Sequence, residues 1–112
     1  MTALDDDIFR QALVLFQAGK LNDAEKLFKK VLRQQPKHFA ALNLLAIVLM
    51  QLERFAEAEH YIKSTLNVNE KNDATLSNYG IILKTLKRPL EALEHFSQAL
   101  AVNSANTQSQ RN

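Results

Sequence analysis

The sequence predicts an all-α chain, an α-solenoid of three antiparallel helix-turn-helix hairpins. Three observations carry that expectation. The 112 residues align on themselves at an offset of 34, the mark of a stacked-repeat architecture. Within each unit the apolar residues recur at helical spacing. The chain also holds only two Gly and two Pro, too few for a turn-rich β sandwich.

The self-alignment is consistent along the whole chain. Ile8, Leu42 and Leu76 coincide, as do Ala12, Ala46 and Gly80, and Leu15, Leu49 and Leu83. Ala24, Ala58 and Ala92 are identical, Leu32, Leu66 and Leu100 are identical, and Phe28, Ile62 and Phe96 share a third position. Six triplets in one phase are beyond coincidence.

The elements follow in order. Ile8, Ala12, Leu15 and Phe16 make one helical stripe, and Leu21, Ala24, Leu27, Phe28, Val31 and Leu32 make a second. Between them Gly19 is free to take the left-handed conformation that ends a helix. Pro36 stops the second helix, since it cannot donate the next backbone hydrogen bond. Later breaks fall near Glu53-Arg54 and Lys87-Arg88. Asp5, Asp6 and Asp7 are read as capping the first helix and Asp73 as capping the fifth. Pro89 opens the sixth, where its missing N–H costs nothing. The expected helices are 6–17, 21–34, 39–52, 55–67, 73–86 and 89–102, followed by a frayed polar segment from Asn103 to Asn112. The small residues at 12, 46 and 80, and at 24, 58 and 92, are expected where the two helices of a hairpin approach closely.

Composition narrows the function. The hydrophobic fraction of 46% excludes a disordered chain. The formal net charge is +2, from 14 basic and 12 acidic side chains, and no Lys or Arg run exceeds two residues, so no nucleic-acid partner is expected. There are no cysteines, hence no disulfides or thiolate metal sites; a reducing, cytoplasmic setting is expected. The N-terminus is acidic where a signal peptide is basic. The longest apolar stretch, Leu44 to Met50, is too short to span a bilayer.

These positions resemble the tetratricopeptide repeat, a degenerate 34-residue hairpin motif. The first unit fits through Ile8, Ala12, Leu15, Ala24, Phe28, Val31 and Pro36. The second fits through Leu42, Leu45, Ala46, Leu49, Ala58 and Ile62, and the third through Leu76, Tyr79, Gly80, Leu83, Ala92, Phe96 and Ala99. The units are expected at 5–38, 39–72 and 73–106, with 107–112 a polar tail or the start of a truncated fourth repeat. The phase would restart at Thr107, which favours an array continuing past Asn112. Gln11, Thr65, Glu70 and Ser104 depart from the motif. Ser77-Asn78-Tyr79-Gly80, with Pro89 to Phe96, is also similar to repeats that precede the catalytic region of bacterial O-linked N-acetylglucosamine transferase-like proteins.

The resemblance implies a non-catalytic scaffold that binds a peptide or protein segment in a concave groove lined by the first helices of the hairpins. It places Asp6, Phe9, Leu13, Phe16 and Gln17 there, then Ala40, Asn43, Leu44, Ile47, Met50 and Gln51, and then Ala74, Ser77, Asn78, Ile81, Lys84 and Thr85. The implied partner-binding set is Phe9, Leu13, Phe16, Asn43, Leu44, Ile47, Met50, Asn78, Ile81 and Lys84. Leu44 and Ile47 read equally well as buried between hairpins. Relatives that hold the C-terminal carboxylate of heat-shock chaperones use Lys, Asn, Asn, Lys and Arg at positions occupied here by Phe9, Leu13, Leu44, Ala74 and Asn78. The cationic members are missing, so binding of an acidic chaperone tail is not expected. The two alternatives are a substrate-recruiting segment of a glycosyltransferase-like enzyme and a scaffold that self-assembles weakly through Leu93, Ala99, Leu100 and Val102 of an uncapped last helix.

No enzymatic chemistry is expected. No two of His38, His60 and His95 lie at i, i+3 or i+4, so no helical metal pair exists. His60 and His95 read as surface histidines, and Glu57, Glu59, Glu91 and Glu94 as solvated charges. No phosphate loop or nucleophile motif is present, and no cofactor is implied.

Overall fold

The computed structural model describes the backbone of residues 3–111 and the side chains of residues 7–104. It contains α1 (Ala3–Gln17), α2 (Leu21–Gln34), α3 (Phe39–Gln51), α4 (Phe55–Val68), α5 (Asp73–Thr85) and α6 (Pro89–Arg111). Consecutive helices pair as antiparallel hairpins, α1 with α2, α3 with α4 and α5 with α6, and α2 then packs on α3 and α4 on α5. The described residues form an α-solenoid of three such hairpins.

Each hairpin turns through the same device. The N–H groups of Lys20, Arg54 and Arg88 donate to the carbonyls of Leu15, Leu49 and Leu83 at 2.9, 2.8 and 2.8 Å. One residue earlier, Gly19, Glu53 and Lys87 donate to Phe16, Met50 and Lys84 at 3.1, 3.0 and 3.1 Å. This pair of bonds closes a helix C-terminus when the residue after the cap is left-handed. All three residues are, with φ of 78°, 61° and 63°.

Small residues set the hairpin spacing. Ala12, Ala46, Ala24 and Ala58 have no exposed surface, and Ala92 and Gly80 are buried. A Cβ placed on Gly80 would come within 2.7 Å of the Phe96 ring. Phe28, Leu45, Leu49, Ile62, Ile82 and Leu83 fill the remaining core. The middle hairpin is covered on both sides, and α3 (FAALNLLAIVLMQ) carries no charged residue.

Several local expectations are corrected. α1 begins at Ala3, so Asp5, Asp6 and Asp7 lie inside its first turns and do not cap it; the side chains of Asp5 and Asp6 lie outside the described residues. Asn72, not Asp73, caps α5: its Oδ1 accepts from the Thr75 N–H at 2.9 Å. His38 caps α3 in the equivalent place, its Nδ1 accepting from the Ala41 N–H at 3.1 Å. α6 does not stop at 102 but runs on to Arg111. Asn103 to Asn106 stand where Pro36 breaks the first unit, and no proline interrupts them. The side chains beyond Ser104, including the expected restart at Thr107, lie outside the described residues.

Candidate functional site

The first helices of the hairpins line one side of the stack. Between α3 and α5 that side opens into a hollow of ≈ 340 Å³, lined by Ile47, Met50, Gln51, Phe55, Asn78, Ile81 and Thr85. The lining is mostly apolar, with Gln51, Asn78 and Thr85 as its three polar side chains. Ile81 is exposed and Ile47 half-buried, because each lies on the side of its helix away from the hairpin partner.

The ten residues implied by the family pattern therefore divide. Ile47, Met50, Asn78 and Ile81 come together in the hollow. Lys84 is exposed but outside the lining, where its neighbour Thr85 stands instead. Phe9 is engaged in packing: its ring lies 6.0 Å from that of Phe28 and 4.6 Å from His38. Leu13, Phe16 and Leu44 are half-buried against the core. Asn43 is half-buried, and its Oδ1 is enclosed with no donor among the described residues. That amide retains bonding capacity. Asp6 lies outside the described side chains. Phe55 is the lining residue that the helix-by-helix pattern missed, since it opens a second helix.

The turn edge carries a second feature, absent from the sequence-based expectations. Arg54 Nη1 and Nη2 donate to Glu25 Oε1 and Oε2 at 2.6 and 2.9 Å, and the same guanidinium holds Glu57 at 2.7 and 2.9 Å. One hairpin on, Arg88 Nη1 donates to both oxygens of Glu59 at 2.9 and 2.8 Å, and its Nε and Nη2 hold Glu91 at 3.0 and 2.6 Å. Lys29 adds a bond to Glu25 at 2.7 Å, and the Tyr79 hydroxyl donates to Glu59 at 2.8 Å. Glu25/Glu59, Arg54/Arg88 and Glu57/Glu91 are each 34 residues apart. The device is one ion-pair clamp used twice, each time joining the second helix of one hairpin to the turn of the next.

The clamp corrects the reading of Glu57, Glu59 and Glu91 as ordinary solvated charges. The Arg54 guanidinium holds Glu25 below the ordinary value of 4.5. Burial pushes Glu59 up, but the Tyr79 and Arg88 bonds outweigh it and the net shift is downward. Burial first, and then the bond to Glu59, pushes Tyr79 up. His95 is half-buried, its ring 4.5 Å from that of Tyr79; His60 remains exposed. No group of three His, Cys, Asp or Glu gathers as a metal site among the described residues. No described helix is long and apolar enough to cross a membrane.

Stacked helical hairpins with an open apolar side define a helical-repeat scaffold. Residues 15–77, more than half of the chain, match the tetratricopeptide repeat family model, and the chain belongs to that family. Such repeats are protein-interaction scaffolds, and this chain is one. Comparison with curated protein sequences finds no match. Among solved structures it is similar to MamA of strain AMB-1, with 25% identity and a TM-score of 0.86 over 90% of this chain and 60% of that one. A point mutant of MamA gives 25% identity and 0.85, covering 90% and 74%. MamA from Desulfovibrio magneticus RS-1 shares the fold at 17% identity and 0.85, covering 89% and 56%. The chain thus spans about 60% of the length of the first MamA structure it matches.

Proposed function

We propose that the hollow between α3 and α5 receives a segment of a partner protein, without catalysis. The observation that carries this is the convergence of Ile47, Met50, Asn78 and Ile81 around one open, mainly apolar depression. Such a depression takes an apolar side chain of a helix or extended peptide. Asn78 supplies an amide to the backbone of that peptide. The lining carries no cation, so an acidic C-terminal tail is not the ligand. The cysteine-free sequence suits a reducing compartment such as the cytoplasm.

The test uses peptides selected by display against the intact chain. Ile81→Glu and Asn78→Ala are expected to weaken their binding, Asn78→Ala by roughly tenfold for one lost hydrogen bond. Ile81 is exposed, so the helical spectrum should not change. Peptides that bind both variants as well as the parent chain would place the ligand elsewhere. If the segment serves a glycosyltransferase-like enzyme, as the similarity around Asn78 suggests, the same groove would recruit its protein substrates.

A second reading rests on α6. Leu90, Leu93 and Leu100 are 82%, 63% and 70% exposed, whereas Ala99, expected on the same face, is buried; this apolar row on α6 favours weak homotypic association through that helix.

A further inference from the structure

The cations of this chain are not spread evenly. Between Glu25 and Glu53 there is no Asp or Glu, yet Lys26, Lys29, Lys30, Arg33 and Lys37 all fall in that stretch. Lys29 is held by Glu25 at 2.7 Å. Lys26, Lys30, Arg33 and Lys37 are exposed, and among the described residues none of them forms an ion pair. Cations near a helix C-terminus also favour its dipole. That role does not call for such a cluster, since α4 has no basic residue in its last turn.

These charges border a groove between the second helices of the first two hairpins. A hollow of ≈ 270 Å³ lies between Lys29, Leu32 and Arg33 on one wall and Tyr61 on the other. One turn further along both walls, a hollow of ≈ 530 Å³ is lined by Lys37, Leu42, Ser64 and Val68, among others. Lys29, Arg33 and Lys37 recur every four residues, and Tyr61, Ser64 and Val68 at i, i+3 and i+7, so each set keeps to one side. One wall is basic, the other is neutral, Leu32 and Leu42 supply apolar surface, and neither lining includes a carboxylate.

The groove is particular to this pair of hairpins. One repeat on, Asn67 stands in the place of Arg33, and the equivalent hollow carries Glu70 in the place of Pro36. Its openness is a property of the position. In the middle hairpin, which is flanked on both sides, the equivalents of Lys26, Arg33 and Lys37 are His60, Asn67 and Lys71, and all three are exposed.

We propose that this groove is a second docking site, separate from the α3/α5 hollow, and that it takes an acidic amphipathic segment of a partner protein. The carboxylates of the segment face Arg33 and Lys37, and its apolar side chains enter the two hollows. Charge on one wall and apolar surface beside it fit such a segment. A nucleic-acid backbone would leave the hollows unfilled.

The test uses the full chain and a fluorescein-labelled helical peptide of Glu and Leu, with leucines at i and i+4. Fluorescence anisotropy should show binding that weakens as salt rises. Arg33→Glu should weaken it by more than roughly tenfold, whereas Lys87→Glu, the same change in net charge at a distant turn, should not. A peptide with serine in place of leucine should lose binding as well. Amide chemical shifts should move at Arg33, Lys37, Tyr61 and Ser64. No binding up to near-millimolar peptide, or equal losses from Arg33→Glu and Lys87→Glu, would overturn the site. Shifts confined to Asn78 and Ile81 would place the peptide in the α3/α5 hollow and overturn it too. Undiminished binding of the serine peptide, or tighter Arg33-dependent binding of a single-stranded oligonucleotide or of phosphatidylserine vesicles, would overturn the assignment of the partner.

Discussion

Gly19, Glu53 and Lys87 occupy one backbone position in three successive turns, and all have positive φ. Only the first is the residue that this conformation favours. A Cβ on Gly19 would meet nothing within 4 Å, so the preference there is set by the backbone and not by crowding. The left-handed region costs a side-chain-bearing residue about 1–2 kcal/mol, partly offset by the greater freedom glycine loses on folding. Glu53→Gly is therefore expected to stabilise the chain by about 0.5–1 kcal/mol, and Gly19→Ala to cost a similar amount. Urea unfolding of the two variants checks both signs. At both of these turns the next residue, Arg54 or Arg88, is held in the clamp. Arg54→Ala leaves the buried Glu25 with Lys29 alone and should lower stability, a loss that chemical denaturation reads directly.

At the scale of the element, helix pairing depends on two small residues facing each other. Ala58 has no exposed surface, so Ala58→Phe overpacks the middle hairpin and should cost about 1–3 kcal/mol, seen as a lower melting temperature. This part of the fold is legible in the sequence, because helical spacing and a 34-residue phase are local signals that sum over the chain. Helix ends are less so. His38 is an uncommon cap, and Asn72 competes with the adjacent Asp73 for the same role, although the two caps stand 34 residues apart. The clamp is hidden for a different reason. Glu25 and Arg54 are 29 residues apart and belong to different hairpins, so no rule about neighbours on one helix finds them. The repeat phase does contain the signal, in charges rather than in apolar residues. Of the groove, the face is readable but its depth is not. Phe9 and Leu44 share the expected face with Ile47 and Ile81, and contacts from neighbouring helices decide which of them stay open.

For the whole molecule, the clamps join one hairpin to the next, so their protonation bears on coupling along the stack. Glu25 and Glu59 both have folded pKa values below the ordinary 4.5. In the unfolded chain they return to that value, so the unfolded state binds protons first as the pH falls. The stability they contribute is complete above about pH 4.5 and is lost as the pH drops through their folded values. The urea midpoint is therefore expected to lose this contribution only below about pH 4.5, where the two carboxylates protonate. Glu25→Gln with Glu59→Gln should lower the midpoint at neutral pH and flatten the acid limb, because the groups that titrate are gone. A stack of repeats unfolds as one unit only while its interfaces hold. Acid should then do more than lower the midpoint. It should broaden the transition and reduce the apparent m-value, as hairpins begin to unfold separately. Both effects are read from urea titrations followed by circular dichroism at neutral pH and below about pH 4. An acid transition as steep as the neutral one would show that the apolar contacts of α2 on α3 and of α4 on α5 couple the hairpins without the clamps.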